Sequence, residues 1–405
     1  MSPTTSETDR RAASRPLAGV TVVSVEQAVA APFATRQLAD LGARVIKVER
    51  PAGGDFARDY DQTIDGLSSV FIWLNRGKES LCLDFKQPDG REILEEMMAT
   101  ADVFIHNLSP AAAERMGMDI AALGDRHPHL IPCAISGYGA GGPMRDAKAY
   151  DLLVQGESGL LSLTGDGEGM AKVGISIADI SAGMYAYSGI LAALTQRERF
   201  GDVTSVDVSL FDSLTEWLAY PLYYTRYGGQ APARMGTSHP TIAPYGGFQT
   251  ADGHALLIAV QNDHGWRAFC RHVLDDPERA EDELFASNSS RVEHRTALDT
   301  LIARRFGTLT LTEITARLDQ AGVPYGRIND ITDLAEHTQL IARDRWVETD
   351  TPAGSVPTLY PPALAGPERV DLGAVPALGE HSDTTLLGLG RTPEEIADLR
   401  RRNII

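Results

Sequence analysis

The chain has 405 residues, 43% of them hydrophobic and 23% charged, which is the balance of a folded globular protein rather than a disordered one. A formal net charge of −18 argues against a nucleic-acid partner, because phosphate backbones are bound by basic surfaces. Cys82, Cys133 and Cys270 form no CxxC or Cys/His spacing, so we predict neither a disulfide framework nor a metal site.

The N-terminal stretch MSPTTSETDRRAASRP lacks the apolar core of a signal peptide. No run of the sequence approaches the roughly 18 apolar residues of a membrane span. We therefore expect a cytoplasmic protein with no membrane partner, in which residues 1–16 form a disordered tail.

The first half of the chain alternates short apolar strands with helical segments. GVTVVSVEQ reads as a strand, APFATRQLADLG as a helix with Pro32 near its start and Gly42 at its end, and ARVIKVER as the next strand. The alternation continues to LIPCAISGYG, which predicts an α/β fold with a parallel sheet. No GxGxxG follows the first strand, where EQAVAAP stands instead, so we do not predict NAD or FAD.

The second half predicts a smaller domain. YGGQAPARMGTSHPTIAPYGG is crowded with Gly and Pro, which marks a long connection, and GGFQTADGHALLIAVQ reads as a hairpin with its turn at residues 251–253. The C-terminal part begins with the Pro-rich stretch PAGSVPTLYPPALAGPERV, which predicts extended chain, and it closes in a helix introduced by Thr392 and Pro393. We predict a large domain over 17–225, a small α+β domain over 226–330, and a C-terminal segment over 331–405 that returns to the large domain.

Asp179 stands where an apolar run, GISIAD, turns into a long helix rich in small residues. The commoner interpretation of such an Asp is a helix N-cap. The alternative is a nucleophile or base, since a helix N-terminus stabilises an anion and offers N–H groups to an oxyanion. Nearby Ala182, Gly183 and Ala186 leave room for a substrate, which favours the second interpretation weakly.

Several other polar residues follow predicted strands or lie in predicted loops. The presence of each can be explained by a structural role as well as by a functional one. A cation at the carboxyl end of a strand is well placed for phosphate, yet it can equally be a solvated charge. Asp151 would cap the helix that it begins, and turn-forming, capping or core roles would account for the other residues. These candidates are Arg50, Asn107, Ser109, Arg115, Tyr150, Asp151 and His239.

Taken together, the motifs resemble class III CoA-transferases of the CaiB/BaiF type, which include formyl-CoA transferase, carnitine CoA-transferase and α-methylacyl-CoA racemase. The resemblance runs from about Pro16 to the C-terminus. It rests on PLAGVTVVSVEQAVAAPFATRQLADLGARVIKVERPAGGD, NRGKESLCLDFKQPDGR, VFIHNLSPAAAERMGMD, ISGYGAGGP, AYDLLVQGESGLLSLTG, the Asp179 stretch and LGEHSDTTLLGLG.

The resemblance implies a large Rossmann-like domain, a small domain and an interlocked homodimer. It also implies that Asp179 attacks the thioester of an acyl-CoA, giving an aspartyl anhydride and then an enzyme–CoA thioester. Coenzyme A and its acyl thioester would be substrates, with no tightly bound cofactor.

The same resemblance implies roles for further residues. Arg50 and Arg115 would bind the phosphate groups of CoA, and Lys78 and Lys148 are further candidates for phosphate contacts. The adenosine end would lie near Asn107 and Leu108. Residues Ala28, Val29 and Ala30 would line the pantetheine and thioester pocket, and Tyr150 would border the catalytic carboxylate.

The positions at which this sequence departs from the family pattern narrow the choice among the family's reactions and substrates. Racemases of the family carry a His where Tyr150 stands, and a phenol with an ordinary pKa near 10 is a poor second base, so we favour a transferase. Val29 replaces the Gln of formyl-CoA transferase, which puts formate and oxalate in doubt. We expect a dicarboxylic acid such as succinate, malate, itaconate or mesaconate, with Gln27, Arg234 or His239 holding its far carboxylate. A racemase-like isomerase and an inactive acyl-CoA-binding protein remain the alternatives.

Overall fold

The computed structural model describes residues 15–363 and 369–405, so most of the tail predicted over 1–16 lies outside the described residues. The chain divides into two compact units. The first takes in the chain up to Ser158, Val173–Ala219 and Arg343–Ile405, and the second takes in Gly159–Lys172 and Tyr220–Ala342. The prediction placed the small domain at 226–330 and did not foresee that Gly159–Lys172 would join it.

A six-stranded parallel sheet forms the centre of the first unit, in the order β3-β2-β1-β4-β5-β6. This is the strand order of the Rossmann fold, and the predicted α/β class is confirmed. The order reverses between β1 and β4, which is where such sheets bind ligands. The strands are β1 Thr21–Val25, β2 Arg44–Glu49, β3 Lys78–Cys82, β4 Val103–His106, β5 Ile131–Ser136 and β6 Val206–Ser209.

Buried apolar runs explain the strands, since both faces of the sheet are covered. Val23, for example, is fully buried between Ile46 of β2 and Phe104 of β4. The helices of the first unit are Ala30–Asp40, Ser69–Asn75, Pro88–Met98, Pro110–Met116, Ile120–Arg126, Asp151–Glu157, Ile177–Phe200, Leu210–Trp217, Ser382–Gly388 and Pro393–Arg401, and Phe56–Asp59 forms a 3₁₀ helix.

The Ile177–Phe200 helix packs unusually close to its neighbours. A Cβ on Gly183 would lie 2.6 Å from the carbonyl oxygen of Ala30, and one on Gly189 would lie 2.7 Å from the Val206 side chain. Within the described ranges this is the one helix with the length and composition of a membrane span. Its small residues lie against a neighbouring helix and β6, as expected of a core helix.

Gly183→Ala is expected to lower the free energy of unfolding by about 1–3 kcal/mol, because the new methyl group would overlap backbone that can move only if the two helices separate. Gly124→Ala is the matched control, since Gly124 also lies in a helix and its added Cβ would meet nothing within 4 Å. Urea unfolding of the two variants tests this. Equal midpoints would show that the close approach at Gly183 is not needed.

The second unit contains an antiparallel sheet of β7 Tyr245–Gln249, β8 Ala255–Ala259 and β9 Tyr325–Arg327. The predicted hairpin is confirmed, with Gly253 at a φ of +81° in its turn. Arg291 is fully buried with its guanidinium over the ring of the core residue Trp266, and it donates to the carbonyl groups of Ala243 and Phe285. Helices are Asp263–Phe269, Asn288–Glu293, Arg295–Phe306, Leu311–Ala321, Ile331–Ala335 and Thr338–Ala342, with Ala219–Gly228 starting at the unit boundary.

The C-terminal segment belongs to the first unit from Arg343 onward. It holds an antiparallel hairpin that the sequence did not predict, β10 Trp346–Thr351 and β11 Gly354–Leu359. The predicted last helix is confirmed, and a capping box between Thr392 and Glu395 starts it. After that helix, the fully buried Ile404 packs in the same hydrophobic core as Val23 and Phe104, which holds the C-terminal residues against the first unit.

Candidate active site

Asp179 is the third residue of the Ile177–Phe200 helix, and Ser176 occupies the N-cap position. The interpretation of Asp179 as the N-cap is therefore wrong. Its carboxyl is partly buried, and in the part of the chain that the structure describes it has no hydrogen-bond partner. A carboxylate left free in the first turn of a helix is suited to attack an electrophile.

The capping is done by Asp151 from a different helix. Its Oδ1 accepts the Ala178 N–H at 2.8 Å, and its Oδ2 accepts the Gln155 amide at 2.7 Å. Asp151 was expected to cap its own helix, but Tyr150 occupies that position. Sequence spacing gave no sign of this contact, because the two residues lie 27 positions apart in separate elements. Asp151 is thus a site residue that sequence reasoning assigned to the wrong role.

Burial and the neighbouring Asp151 carboxylate raise the pKa of Asp179 from 3.8 to about 7. Burial contributes most, because it disfavours the charged form, and a like charge nearby acts in the same direction. The Asp179 carboxylate anion is therefore the major form only above about pH 7.

Acyl transfer to the enzyme is expected to increase with pH through a midpoint of about 7, and Asp151→Asn is expected to move that midpoint roughly one unit lower. The Asn oxygen can still cap Ala178, while the like charge is gone. Single-turnover rates of thioester cleavage between pH 5 and 9 measure this. Asp125→Asn, in an exposed position, is the control, and an unmoved midpoint in Asp151→Asn would contradict the electrostatic account.

Tyr60 is a second residue that the sequence did not single out. It follows the Phe56–Asp59 3₁₀ helix and is 49% exposed. Burial, together with the charges of Asp55, Asp179 and Tyr150, raises its pKa to about 12. The phenol therefore stays protonated at all working pH values and can donate a hydrogen bond. Tyr150, itself 67% exposed, belongs to the same group of side chains.

The turn after β1 lies beside the Ile177–Phe200 helix. Ala28 has a φ of +63°, Val29 is the N-cap of the next helix, and Ala30 begins it. The carbonyl of Ala30 closely approaches Gly183, which is one helical turn from Asp179. The end of this turn therefore lies about one helical turn from Asp179, and the role of Ala28, Val29 and Ala30 in a thioester pocket stays a prediction.

Gln27 and Asn107 meet where the strand order reverses. The Asn107 side chain accepts the Gln27 N–H at 3.0 Å and donates to its carbonyl at 2.7 Å, so it joins the ends of β1 and β4. Leu108 follows and borders a cavity of about 220 Å³ that His106, Pro110, Ala134 and Ser136 also line. A larger groove of about 520 Å³ lies along β6 and does not include Asp179.

The predicted phosphate partners divide into exposed and buried cations. Arg50, Arg115 and Lys148 are exposed, and Arg50 donates to the carbonyl of Gly54. Lys78 is buried, and its ammonium group donates to Glu26, to Asn75 and to a backbone carbonyl. The prediction that Lys78 binds phosphate is wrong, because its donors are already used where an anion cannot reach.

His239 belongs to the second unit, where its ring stacks on Tyr245 with centroids 5.2 Å apart. Its carbonyl accepts a hydrogen bond from Arg295, and Arg234 donates to the carbonyl of Asp166. The role of either residue toward a carboxylate stays a prediction. Across the described residues, no three His, Cys, Asp or Glu side chains are grouped to hold a metal ion.

A family model described as CoA-transferase family III matches residues 17–382. The chain belongs to CoA-transferase family III. It is therefore a transferase, and the predicted family is confirmed. Among its relatives is a succinate–glutarate CoA-transferase of Agrobacterium fabrum, 36% identical over 92% of this chain and 96% of the relative. A human succinyl-CoA:glutarate CoA-transferase is 32% identical over 91% of this chain and 84% of the relative.

Other family members differ in substrate. An acetyl-CoA:oxalate CoA-transferase of Acetobacter aceti is 35% identical over 82% of this chain and 86% of the relative. A crystal structure of a CaiB/BaiF family protein from Brucella suis superposes with a TM-score of 0.81 at 34% identity, covering 93% of this chain and 99% of that one. This chain thus shares its architecture with a solved CaiB/BaiF family protein, while the acids named for its relatives vary.

Proposed function

We propose that this family III enzyme transfers CoA from an acyl-CoA to a dicarboxylic acid through covalent intermediates on Asp179. The observation that carries the proposal is the free carboxylate of Asp179 in the first turn of its helix, beside the Ala28–Ala30 turn. CoA thioesters are the substrates of this family, and the transfer needs a nucleophile of this kind.

In the first step, an Asp179 oxygen attacks the thioester carbonyl carbon. The carbon–sulfur bond breaks, CoA leaves as its thiolate, and an acyl-aspartyl anhydride forms. Tyr60, which keeps its proton, can donate a hydrogen bond to the developing oxyanion. Because the nucleophile is an anion, this step requires Asp179 to be deprotonated.

In the following steps, the thiolate attacks the aspartyl carbonyl and displaces the donor acid, leaving a thioester between Asp179 and CoA. The acceptor carboxylate then attacks that thioester and forms a second anhydride. The returning thiolate attacks the acyl carbonyl of this anhydride, releases the new acyl-CoA and restores the Asp179 carboxylate. Arg50, Arg115 and Lys148 are our candidates for CoA phosphate contacts, since all three are exposed on the first unit.

The dicarboxylate preference rests on relatives. Two of these relatives are named for succinate or succinyl-CoA and glutarate. A third, from Haloarcula hispanica, is a succinyl-CoA:mesaconate CoA-transferase that is 32% identical over 82% of this chain. We propose succinyl-CoA as donor, with glutarate, mesaconate, malate or itaconate as acceptor. Gln27, on the first unit, is our candidate for a contact with the second carboxylate.

The test incubates the enzyme with succinyl-CoA and a panel of acids, namely glutarate, mesaconate, malate, itaconate, oxalate, formate and acetate. Transfer is followed by chromatography of the CoA esters. Hydroxylamine added during turnover should convert the activated carboxyl to a hydroxamate, and mass spectrometry should find that mark at Asp179.

Two outcomes would overturn the proposal. Deuterium incorporation at the α-carbon of a branched acyl-CoA without CoA exchange would identify an isomerase. Tight CoA binding with neither turnover nor labelling would identify a binding protein. A preference for formate or acetate over the diacids would leave the chemistry in place and refute the dicarboxylic substrate class, and a preference for oxalate would refute the four-carbon and five-carbon acceptors.

We also propose that the chain works as the homodimer that the family resemblance implies. In support, the Ala219–Gly228 helix has no buried residue, and Tyr220, Tyr223 and Tyr227 are each more than half exposed. A second copy would cover such a surface. Sedimentation equilibrium should give twice the 43.7 kDa mass of the chain, and a monomer at micromolar concentration would refute the dimer.

A further inference from the structure

A cluster of buried charged side chains lies next to the turn that contains Ala28. It has no part in the chemistry described above. It comprises Glu26, Lys47, Glu49, Asp55 and Lys78, each at most 3% exposed. Lys47 contacts Glu26 at 3.4 Å and Asp55 at 2.7 Å, and Lys78 contacts Glu26 at 2.8 Å. Charges this deep are retained only when they are paired and fully hydrogen-bonded.

Asp55 joins this cluster to the candidate active site. Its Oδ1 accepts the N–H of Ala28 at 3.1 Å and the N–H of Ala57 at 2.9 Å, while its Oδ2 accepts the Lys47 ammonium group. Ala28 lies in the turn before the helix whose Ala30 carbonyl approaches Gly183, one helical turn from Asp179, and Ala57 lies in the 3₁₀ helix that leads to Tyr60. One carboxylate oxygen therefore connects two segments that lead to groups near Asp179, the Ala30 carbonyl and the Tyr60 phenol.

The remaining contacts hold Asp55 itself in place. Its N–H donates to Glu49 at 3.0 Å, and Glu49 is fixed by Arg58 and Ser80. Burial alone would lower the pKa of Lys47, but Glu26 and Asp55 together raise it, so the ammonium group stays charged. Asp55 thus has a hydrogen bond to each side-chain oxygen and little freedom to move.

We propose that Asp55 is a positioning residue for CoA transfer: it holds the Ala28 turn and the Tyr60 segment at fixed positions beside Asp179. Ala28 is not glycine yet has a φ of +63°, a conformation that costs an alanine free energy and needs external support. The hydrogen bond from its N–H to Asp55 supplies that support. The inference rests on the proposed function, because it takes the Ala28 turn as a wall of the acyl site.

The test compares two double variants that both remove the buried ion pair. Lys47→Met with Asp55→Asn keeps an amide oxygen for the N–H groups of Ala28 and Ala57. Lys47→Met with Asp55→Ala removes that oxygen and leaves no unpaired charge. We expect kcat to be at least about tenfold lower in the second than in the first, in line with the loss from misplacing groups around a reacting centre. Equal kcat values would overturn the positioning role.

Hydrogen exchange gives a readout that does not depend on activity. Peptides covering residues 26–33 and 55–60 should exchange faster in the Asp55→Ala double variant than in the Asp55→Asn one, with the rest of the first unit unchanged. Equal exchange would refute the proposal. If wild-type enzyme shows no transfer, the proposed function fails, while the exchange comparison still tests whether Asp55 holds these segments.

A third variant approaches the same contact without touching a buried charge. Ala28→Pro removes the N–H and cannot adopt a positive φ, so it breaks the connection to Asp55 from the turn side. It should match the kcat loss of the Asp55→Ala double variant. Wild-type kcat in Ala28→Pro would contradict the proposal even if neither double variant folds.

Discussion

Asp179→Asn is expected to lower the rate of CoA transfer by at least about 10,000-fold, which is the scale on which loss of a covalent nucleophile acts. The amide cannot form the anhydride, so the reaction loses its first intermediate. CoA binding should persist, because the side chains proposed to contact CoA lie elsewhere in the first unit. Steady-state transfer from succinyl-CoA and calorimetric titration with CoA measure the two quantities.

Asp125→Asn serves as the matched control for this variant, since it makes the same chemical change at an exposed position in a helix of the same unit. It should retain wild-type transfer. Hydroxylamine should label Asp179 in the control protein and nothing in Asp179→Asn. Transfer within tenfold of wild type in Asp179→Asn would remove Asp179 from the mechanism.

The same variant is expected to be more stable than wild type at alkaline pH, and this is the second large effect. The folded-state pKa of Asp179 is raised from 3.8 to about 7, so the folded protein holds a proton that the unfolded chain has released. Stability is therefore lost as pH increases from about 4 to about 7, and the loss stays constant above that. At 1.36 kcal/mol per pKa unit, the raised pKa costs about 4 kcal/mol at pH 8.

Thermal unfolding of wild type and Asp179→Asn at pH 5 and pH 8 measures this cost. We expect the variant to gain about 1.5 kcal/mol at pH 5 and about 4 kcal/mol at pH 8, because it has no carboxyl to ionise. Asp125→Asn should show no such pH dependence. An advantage that is equal at both pH values would mean that burial of Asp179 does not penalise its charge.

Local patterns in the sequence were enough to predict most of the scaffold. The buried apolar strands, the helix start near Pro32, the hairpin at residues 251–253 and the capping box at Thr392 all depend on neighbours in the chain. The family motifs were enough to predict the transferase activity. The hairpin Trp346–Thr351 with Gly354–Leu359 was missed because Pro residues around it favoured extended chain.

Individual charged residues were harder to interpret. Lys78 follows a motif that suggested phosphate binding, but the fold encloses its ammonium group with Glu26. Asp151 seemed to cap its own helix, although it caps the helix of Asp179 instead. In both cases the deciding partner is far away in sequence, and its distance depends on how the elements pack.

The sequence by itself determined that this chain has a parallel α/β unit, belongs with the class III CoA-transferases and carries an acidic residue at the start of a helix rich in small residues. The tertiary structure decided what surrounds that residue: a like charge from Asp151, the phenol of Tyr60, and the Ala28 turn held by Asp55. These neighbours set the pKa and the surroundings of the proposed nucleophile, because electrostatic interactions and hydrogen bonds depend on distances in space rather than on spacing along the chain.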